Sequence, residues 1–186
     1  MTTIAGAPPN RRTADLLLGR QSVPGASYFI TWCEAARIPR LTQPEITSSL
    51  WATLEHSAAQ SDFSPIAATI MPDHIHILGI LGARLSLPRL IGKWKRQTGE
   101  VLGAKKLRWQ ENFYEHRLRR PEELEPFARY IFLNPHRARL LRLDESWPHW
   151  RRGTDTRFQF EEFVARDGRV PAAWLGEPDP PGASDL

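Results

Sequence analysis

Two apolar runs, Pro65 to Met71 and His74 to Ile80, are separated only by Pro72-Asp73. A link that short joins strands that run antiparallel, so the pair is expected to form a hairpin. Every neighbouring segment must pack around it. Upstream, Tyr28 to Cys33 (Tyr-Phe-Ile-Thr-Trp-Cys) is rich in aromatic and β-branched residues and reads as a first strand. A helix is expected between them, with Thr42 as its cap and Pro44 in its first turn. Ile46, Leu50, Thr53 and Leu54 recur at helical spacing to about Ala59. Downstream, Ser86 is the expected cap of a second helix whose apolar stripe is Leu87, Leu90, Ile91, Trp94, Thr98, Val101 and Leu102. Its opposite face carries Arg89, Lys93 and Arg96. A short strand around Phe113 to Leu118 and a third helix leading to Tyr130 complete the series. Strand, helix, hairpin, helix, strand predicts an α+β fold of ferredoxin-like type, an antiparallel sheet with helices packed on it.

The chain of 186 residues, 41% hydrophobic, suits one well-filled core. Residues 1–26 mix Pro8, Pro9, Gly19, Pro24 and Gly25 with little periodicity and are expected to be a mobile N-terminal segment. Residues 27–152 form the expected domain. Residues 153–186 are expected to be a C-terminal extension whose Pro- and Gly-rich end, from Gly176, is disordered and builds no core. Trp147 and Trp150 flank Pro148 and suggest a clasp over the sheet. No apolar run approaches the roughly 20 residues needed to span a bilayer, and no leader is evident, so a soluble cytoplasmic protein without a membrane partner is expected. The single Cys33 has no partner for an internal disulfide or a Cys-x-x-Cys site and reads as a small core residue.

Charge is distributed unevenly. Arg84 to Arg152 hold 17 Lys and Arg against 8 Asp and Glu, whereas the rest of the chain holds 8 against 13. Clustered positive charge suits a polyanion such as a nucleic-acid backbone, although an Arg-rich solvated surface gives the same count.

Within the hairpin, His74 and His76 alternate with Ile75 and Ile77, so both imidazoles project from one face of the strand. Such a pair is half of a metal site, or two hydrogen-bonded histidines. The apolar setting requires a partner for each ring. Farther on, Tyr130 and Asn134 stand four residues apart, a spacing that puts a phenol and an amide oxygen on one helical face. Pro135 disfavours helix at Asn134, which is thus expected on a frayed last turn or as a C-cap.

These residues resemble the single-tyrosine HUH transposases, and among them the REP-associated tyrosine transposases of bacteria. The resemblance covers about Tyr28 to Trp150. It rests on Met71-Pro72-Asp73-His74-Ile75-His76-Ile77-Leu78, Lys93-Trp94-Lys95-Arg96-Gln97-Thr98, Trp109-Gln110 with Phe113-Tyr114-Glu115-His116, Tyr130-Ile131 with Asn134-Pro135, and Ser146-Trp147-Pro148, five landmarks in order. Pro126 departs from it by falling four residues before Tyr130, unless the helix starts near Glu125 with Pro126 in its first turn.

The resemblance implies a palm-like HUH endonuclease fold. It also implies His74 and His76 as the metal pair, Asn134 as third ligand and Tyr130 as nucleophile. The implied activity is cleavage and rejoining of single-stranded DNA at hairpin-forming palindromes through a 5′-phosphotyrosine, by a monomer associated with the nucleoid. Mixed imidazole and amide-oxygen ligation suits Mg²⁺ or Mn²⁺. Arg89, Lys93, Lys95, Arg96, Arg117, Arg119 and Arg120 are candidate phosphate contacts, and Trp94 or Trp109 candidate stacking platforms, with Trp94 favoured as core. Glu115 and His116 are possible auxiliaries in proton transfer, or surface ion-pair residues. Tyr114 competes as a nucleophile but reads as a packing ring. Two alternatives stay open: a hairpin-binding protein of the same fold without catalysis, and a hydrolase that uses water in place of Tyr130.

Overall fold

The computed structural model describes residues 22–120, 123–153 and 156–183. Their elements run β1 (Ser27–Cys33), α1 (Pro44–Ala59), β2 (Phe63–Ile70), β3 (His74–Leu81), α2 (Leu87–Ala104), β4 (Tyr114–Arg117), α3 (Leu124–Arg137), β5 (Trp150–Arg152), α4 (Gln159–Asp167) and a 3₁₀ turn (Ala172–Gly176). The sheet order is β4-β1-β3-β2-β5, and every neighbouring pair is antiparallel. Its first four strands, with α1 and α2 as connections, are the ferredoxin-like arrangement expected from the element order.

Alternation along the strands divides the core into two layers. Tyr28, Ile30 and Trp32 of β1 and Ile75 and Ile77 of β3 face α1 and α2, where they pack with Leu50, Trp94 and their neighbours. Phe29 and Leu78 face the other way and pack with Phe127, Ala128 and Ile131 of α3. Both faces of the central strands are therefore covered. That is why β1 and β3 read as nearly unbroken apolar runs rather than as alternating ones.

The helix ends differ from expectation in detail. Gln43, not Thr42, occupies the N-cap of α1, and its side chain makes no capping bond. Ser86 holds the N-cap of α2, but the Leu87 amide donates instead to Ser22 Oγ at 2.8 Å. Helix α3 begins at Leu124, so Pro126 lies in its first turn, where its missing N–H costs nothing. The helix also runs through Asn134 and Pro135 to Arg137 instead of fraying there. Burial of Leu133, Pro135 and His136 offsets the one helical hydrogen bond that Pro135 cannot donate.

The C-terminal extension corrects the sequence reading further. Phe158, Phe160 and Ala183 are buried in the layer beneath α3, with Trp174 packed against them. Arg129 pairs with Glu177 and Arg137 with Asp179, holding the segment on the helix. Residues 176–183 thus contribute to the core that they were expected not to build. Trp147 donates its indole N–H to the Ile70 carbonyl at 3.1 Å, and Trp150 pairs with Thr69 in the edge strand β5. Most of the N-terminal segment, residues 1–21, lies outside the described residues.

Candidate active site beneath helix α3

The pleat of β3 puts His74 and His76 on the face covered by α3. Register then supplies their neighbours, because His76 lies opposite Thr31 of β1 and Thr69 of β2, and His74 lies opposite Cys33. Thr31 Oγ1 meets His76 Nδ1 at 2.7 Å, and Asp73 Oδ1 meets His74 Nδ1 at 2.7 Å. With both Nδ1 atoms engaged, the two Nε2 atoms turn toward each other, 3.0 Å apart. A carboxylate oxygen only accepts, so His74 Nδ1–H donates to Asp73, and His74 Nε2 is directed at the other ring. Two such nitrogens share a proton or a cation. The donor set fits a divalent metal: outer partners already orient both imidazoles, and ligation satisfies nitrogens that otherwise oppose each other.

Helix α3 brings the remaining groups. The Tyr130 ring stands edge-on to His76 with centroids 5.7 Å apart, and Phe29 lies beneath both, stacked on His76 at 5.5 Å and edge-on to Tyr130 at 5.8 Å. Asn134 donates its amide N–H to the Tyr130 carbonyl at 3.2 Å. The same amide interacts with the His76 ring, favouring its protonated form, and with the Tyr130 hydroxyl, favouring its ionised form. One side chain therefore bridges the imidazole pair and the phenol. Among the described residues no three His, Cys, Asp or Glu side chains cluster in metal-binding fashion, and the Asn134 amide is the further polar group beside the histidine pair.

Electrostatics define what this site lacks. Burial, then the neighbouring His74, pushes the His76 pKa well below the ordinary imidazole value, so the ring is neutral. Burial also raises the Tyr130 phenol, against the opposing pull of Asn134 and of Arg137, whose guanidinium lies 5.7 Å from the ring centroid. The phenol is therefore protonated at neutral pH and is not activated by its surroundings. Its hydroxyl donates to the Ala183 carbonyl at 3.4 Å, and Tyr114 donates its hydroxyl to the Gly182 carbonyl. The C-terminal segment thus lies over the phenol, with the Ala183 carbonyl against its hydroxyl.

The other sequence-selected residues separate sharply. Tyr114 and His116 share the His76 face, where Tyr114 packs edge-on to Phe29 and His116 stacks on Phe127 at 5.3 Å. Glu115 is paired with Ile30 and belongs to the opposite face, which removes it from the histidine pair. Trp94 is core, its indole donating to Ser57 Oγ at 2.5 Å, and Trp109 donates to Thr98 Oγ1 at 2.8 Å while packing on Trp32. Lys93 is paired with buried Asp62 at 2.7 Å, and Lys95 donates to the carbonyls of Gln110, Glu111 and Asn112. Both lysines are engaged within the fold. Arg89 and Arg96 line a shallow depression on the outside of α2, across the sheet from the histidines. Arg117, Arg119 and Arg120 instead line a cleft of about 560 Å³ with Val23 and Gly25 to Ser27. Arg119 and Arg120 also line a second cleft with His116, Phe127 and Pro180.

Thr31 was not singled out from the sequence. Only strand register reveals it, whereas the adjacency of Asp73 to His74 was visible.

Comparisons with known proteins agree with this fold. The family described as transposase, IS200-like, matches residues 22–119. A REP-associated tyrosine transposase of Escherichia coli K12 is 26% identical over 164 residues, covering 81% of this chain and 89% of its own. Among solved structures, a REP-associated tyrosine transposase bound to a REP hairpin superposes with a TM-score of 0.64 at 23% identity, covering 90% of this chain and 96% of that one.

Proposed function

Because the chain belongs to the IS200-like transposase family, we propose that it nicks and rejoins single-stranded DNA at hairpin-forming palindromes, with Tyr130 as nucleophile and Mg²⁺ or Mn²⁺ as cofactor. The observation that carries this reading is the convergence of His74 and His76 Nε2, 3.0 Å apart, directly beside the Tyr130 ring, with Asn134 touching both. The solved relative was bound to a REP hairpin, which supports a hairpin as the DNA partner. Action as a monomer on cytoplasmic, nucleoid DNA belongs to the same proposal.

His74, His76 and the Asn134 amide oxygen would hold the cation, which when bound supplies positive charge to a non-bridging phosphate oxygen. The protein supplies position. Phe29 fixes the ring of His76 against that of Tyr130, and α3 fixes the phenol one turn from Asn134. Once the Ala183 carbonyl is displaced, Tyr130 Oη attacks phosphorus and gives its proton to water, while the P–O3′ bond breaks and the departing 3′-oxygen takes a proton from water. The products are a 5′-phosphotyrosine and a free 3′-hydroxyl. The ester retains the bond energy, so a second 3′-hydroxyl reverses the step without a nucleotide cofactor.

The test is a denaturing gel with end-labelled hairpin oligonucleotides, taken from repeats near the gene, plus Mn²⁺ or Mg²⁺. A detergent-resistant labelled adduct is expected for native protein and Tyr114→Phe, and none for Tyr130→Phe or His74→Ala. Hairpin binding without adduct or cleavage would assign the protein to non-catalytic binding. Metal-dependent cleavage that persists in Tyr130→Phe would assign the attack to water.

A further inference from the structure

Behind the histidine pair lies a loop that neither the motifs nor the mechanism use. Residues 34–41, between β1 and α1, are tied to the hairpin turn by two backbone hydrogen bonds. Glu34 N donates to the Asp73 carbonyl at 2.8 Å, and Leu41 N to the Pro72 carbonyl at 2.7 Å. The loop is also braced internally. The buried carboxylate of Glu34 accepts the amides of Ala36 and Ile38, each at 2.8 Å. Between those two residues Arg37 is held at φ 57°, the left-handed region that a residue with a Cβ enters at a cost. A braced loop carrying one strained arginine fixes where that side chain starts.

The side chain is fixed at its other end as well. Arg37 Nε is 2.7 Å from Asp73 Oδ2, and its Nη1 is 2.6 Å from Cys33 Sγ. The other oxygen of the same carboxylate, Asp73 Oδ1, meets His74 Nδ1 at 2.7 Å. Guanidinium, carboxylate and imidazole thus form a chain that ends at His74 Nε2. We infer that Arg37 is a positioning residue for the metal site, locking the Asp73 carboxylate so that the His74 Nε2 lone pair is directed at the cation.

The inference rests on the proposed cation site, and charge makes it testable by sign. A guanidinium near a bound dication repels it, so charge alone would make loss of Arg37 tighten metal binding. Loss of orientation weakens it; direct outer partners of metal-bound histidines are worth roughly 10- to 100-fold in affinity, and Arg37 stands one bond farther out. Orientation is therefore expected to win, with a loss of about 5- to 10-fold.

The experiment is Mn²⁺ titration of the full chain by calorimetry, without DNA, for native protein, Arg37→Met, Asp73→Asn and the double variant. Metal-free melting and hairpin binding serve as checks that each variant is folded. The expected result is weaker Mn²⁺ binding in Arg37→Met, and no further loss when Arg37→Met is added to Asp73→Asn. Unchanged or tighter binding in Arg37→Met, or an equal loss in both backgrounds, overturns the inference. Native protein that binds no Mn²⁺ would instead overturn the cation site itself.

Discussion

Neutral His76 makes metal-free protein sensitive to mild acid. The ring is 1% exposed, and burial followed by the adjacent His74 depresses its pKa well below the ordinary value of about 6.5. The unfolded chain binds a proton that the folded chain refuses, so stability is complete above the unfolded pKa and falls as pH drops below it. For a ring that stays neutral when folded, lowering pH from 7 to 5.5 costs on the order of 1 kcal/mol by linkage. His136 and His149 are shifted in the same direction by burial and add to the total, but they are present in every variant and cancel in a difference. The assay is urea unfolding in chelator at pH 7 and 5.5 for native protein and His76→Gln. Native protein should lose on the order of 1 kcal/mol more than the variant over that interval. Parallel losses would refute the reasoning, because they would mean that folded His76 takes up its proton as readily as unfolded chain.

Other expectations concern roles the structure separates. Lys95→Met removes the donor to three loop carbonyls and should cost about 1–3 kcal/mol in urea unfolding while leaving hairpin affinity unchanged; weakened DNA binding without lost stability would refute this. Phe29→Ala removes the ring shared by His76, Tyr130, Tyr114 and Phe127, and should destabilise by about 3–5 kcal/mol. Arg119→Ala with Arg120→Ala should lower the salt dependence of oligonucleotide binding by about 0.7 in log–log slope for each phosphate that is no longer neutralised. Arg89→Ala with Arg96→Ala, on the far side of the sheet, should not; filter binding across a salt series distinguishes the two pairs.

Much of the fold was legible because local signals agreed with it. The two-residue link after Met71 enforced the hairpin, and the stripe from Leu87 to Leu102 enforced α2, whose Trp94 is buried as its position required. Proline was read less well. Pro135 suggested a helix end at Asn134, yet packing of Leu133, Pro135 and His136 carries α3 onward to Arg137, since burial outweighs one missing hydrogen bond. The C-terminal extension misled for a related reason. The prolines and glycines of its tail from Gly176 promise nothing locally, and the order of that tail comes from Arg129 and Arg137 of α3 and from the layer of Phe158 and Phe160, all of which lie outside it.

The sequence by itself determined which of the candidate groups share an element and a face. His74 and His76 alternate out of one strand, and Tyr130 and Asn134 lie one turn apart, because those periods are properties of backbone geometry. Tertiary structure alone decided what those groups meet. Register places Thr31 behind His76, the loop after β1 places Arg37 behind Asp73, and packing of α3 on the sheet closes the distance between phenol and imidazole. It also removed Glu115 from the site and engaged Lys93 and Lys95 within the fold. Pairings between residues distant in the chain depend on which surfaces are buried together, and local spacing carries no record of that choice.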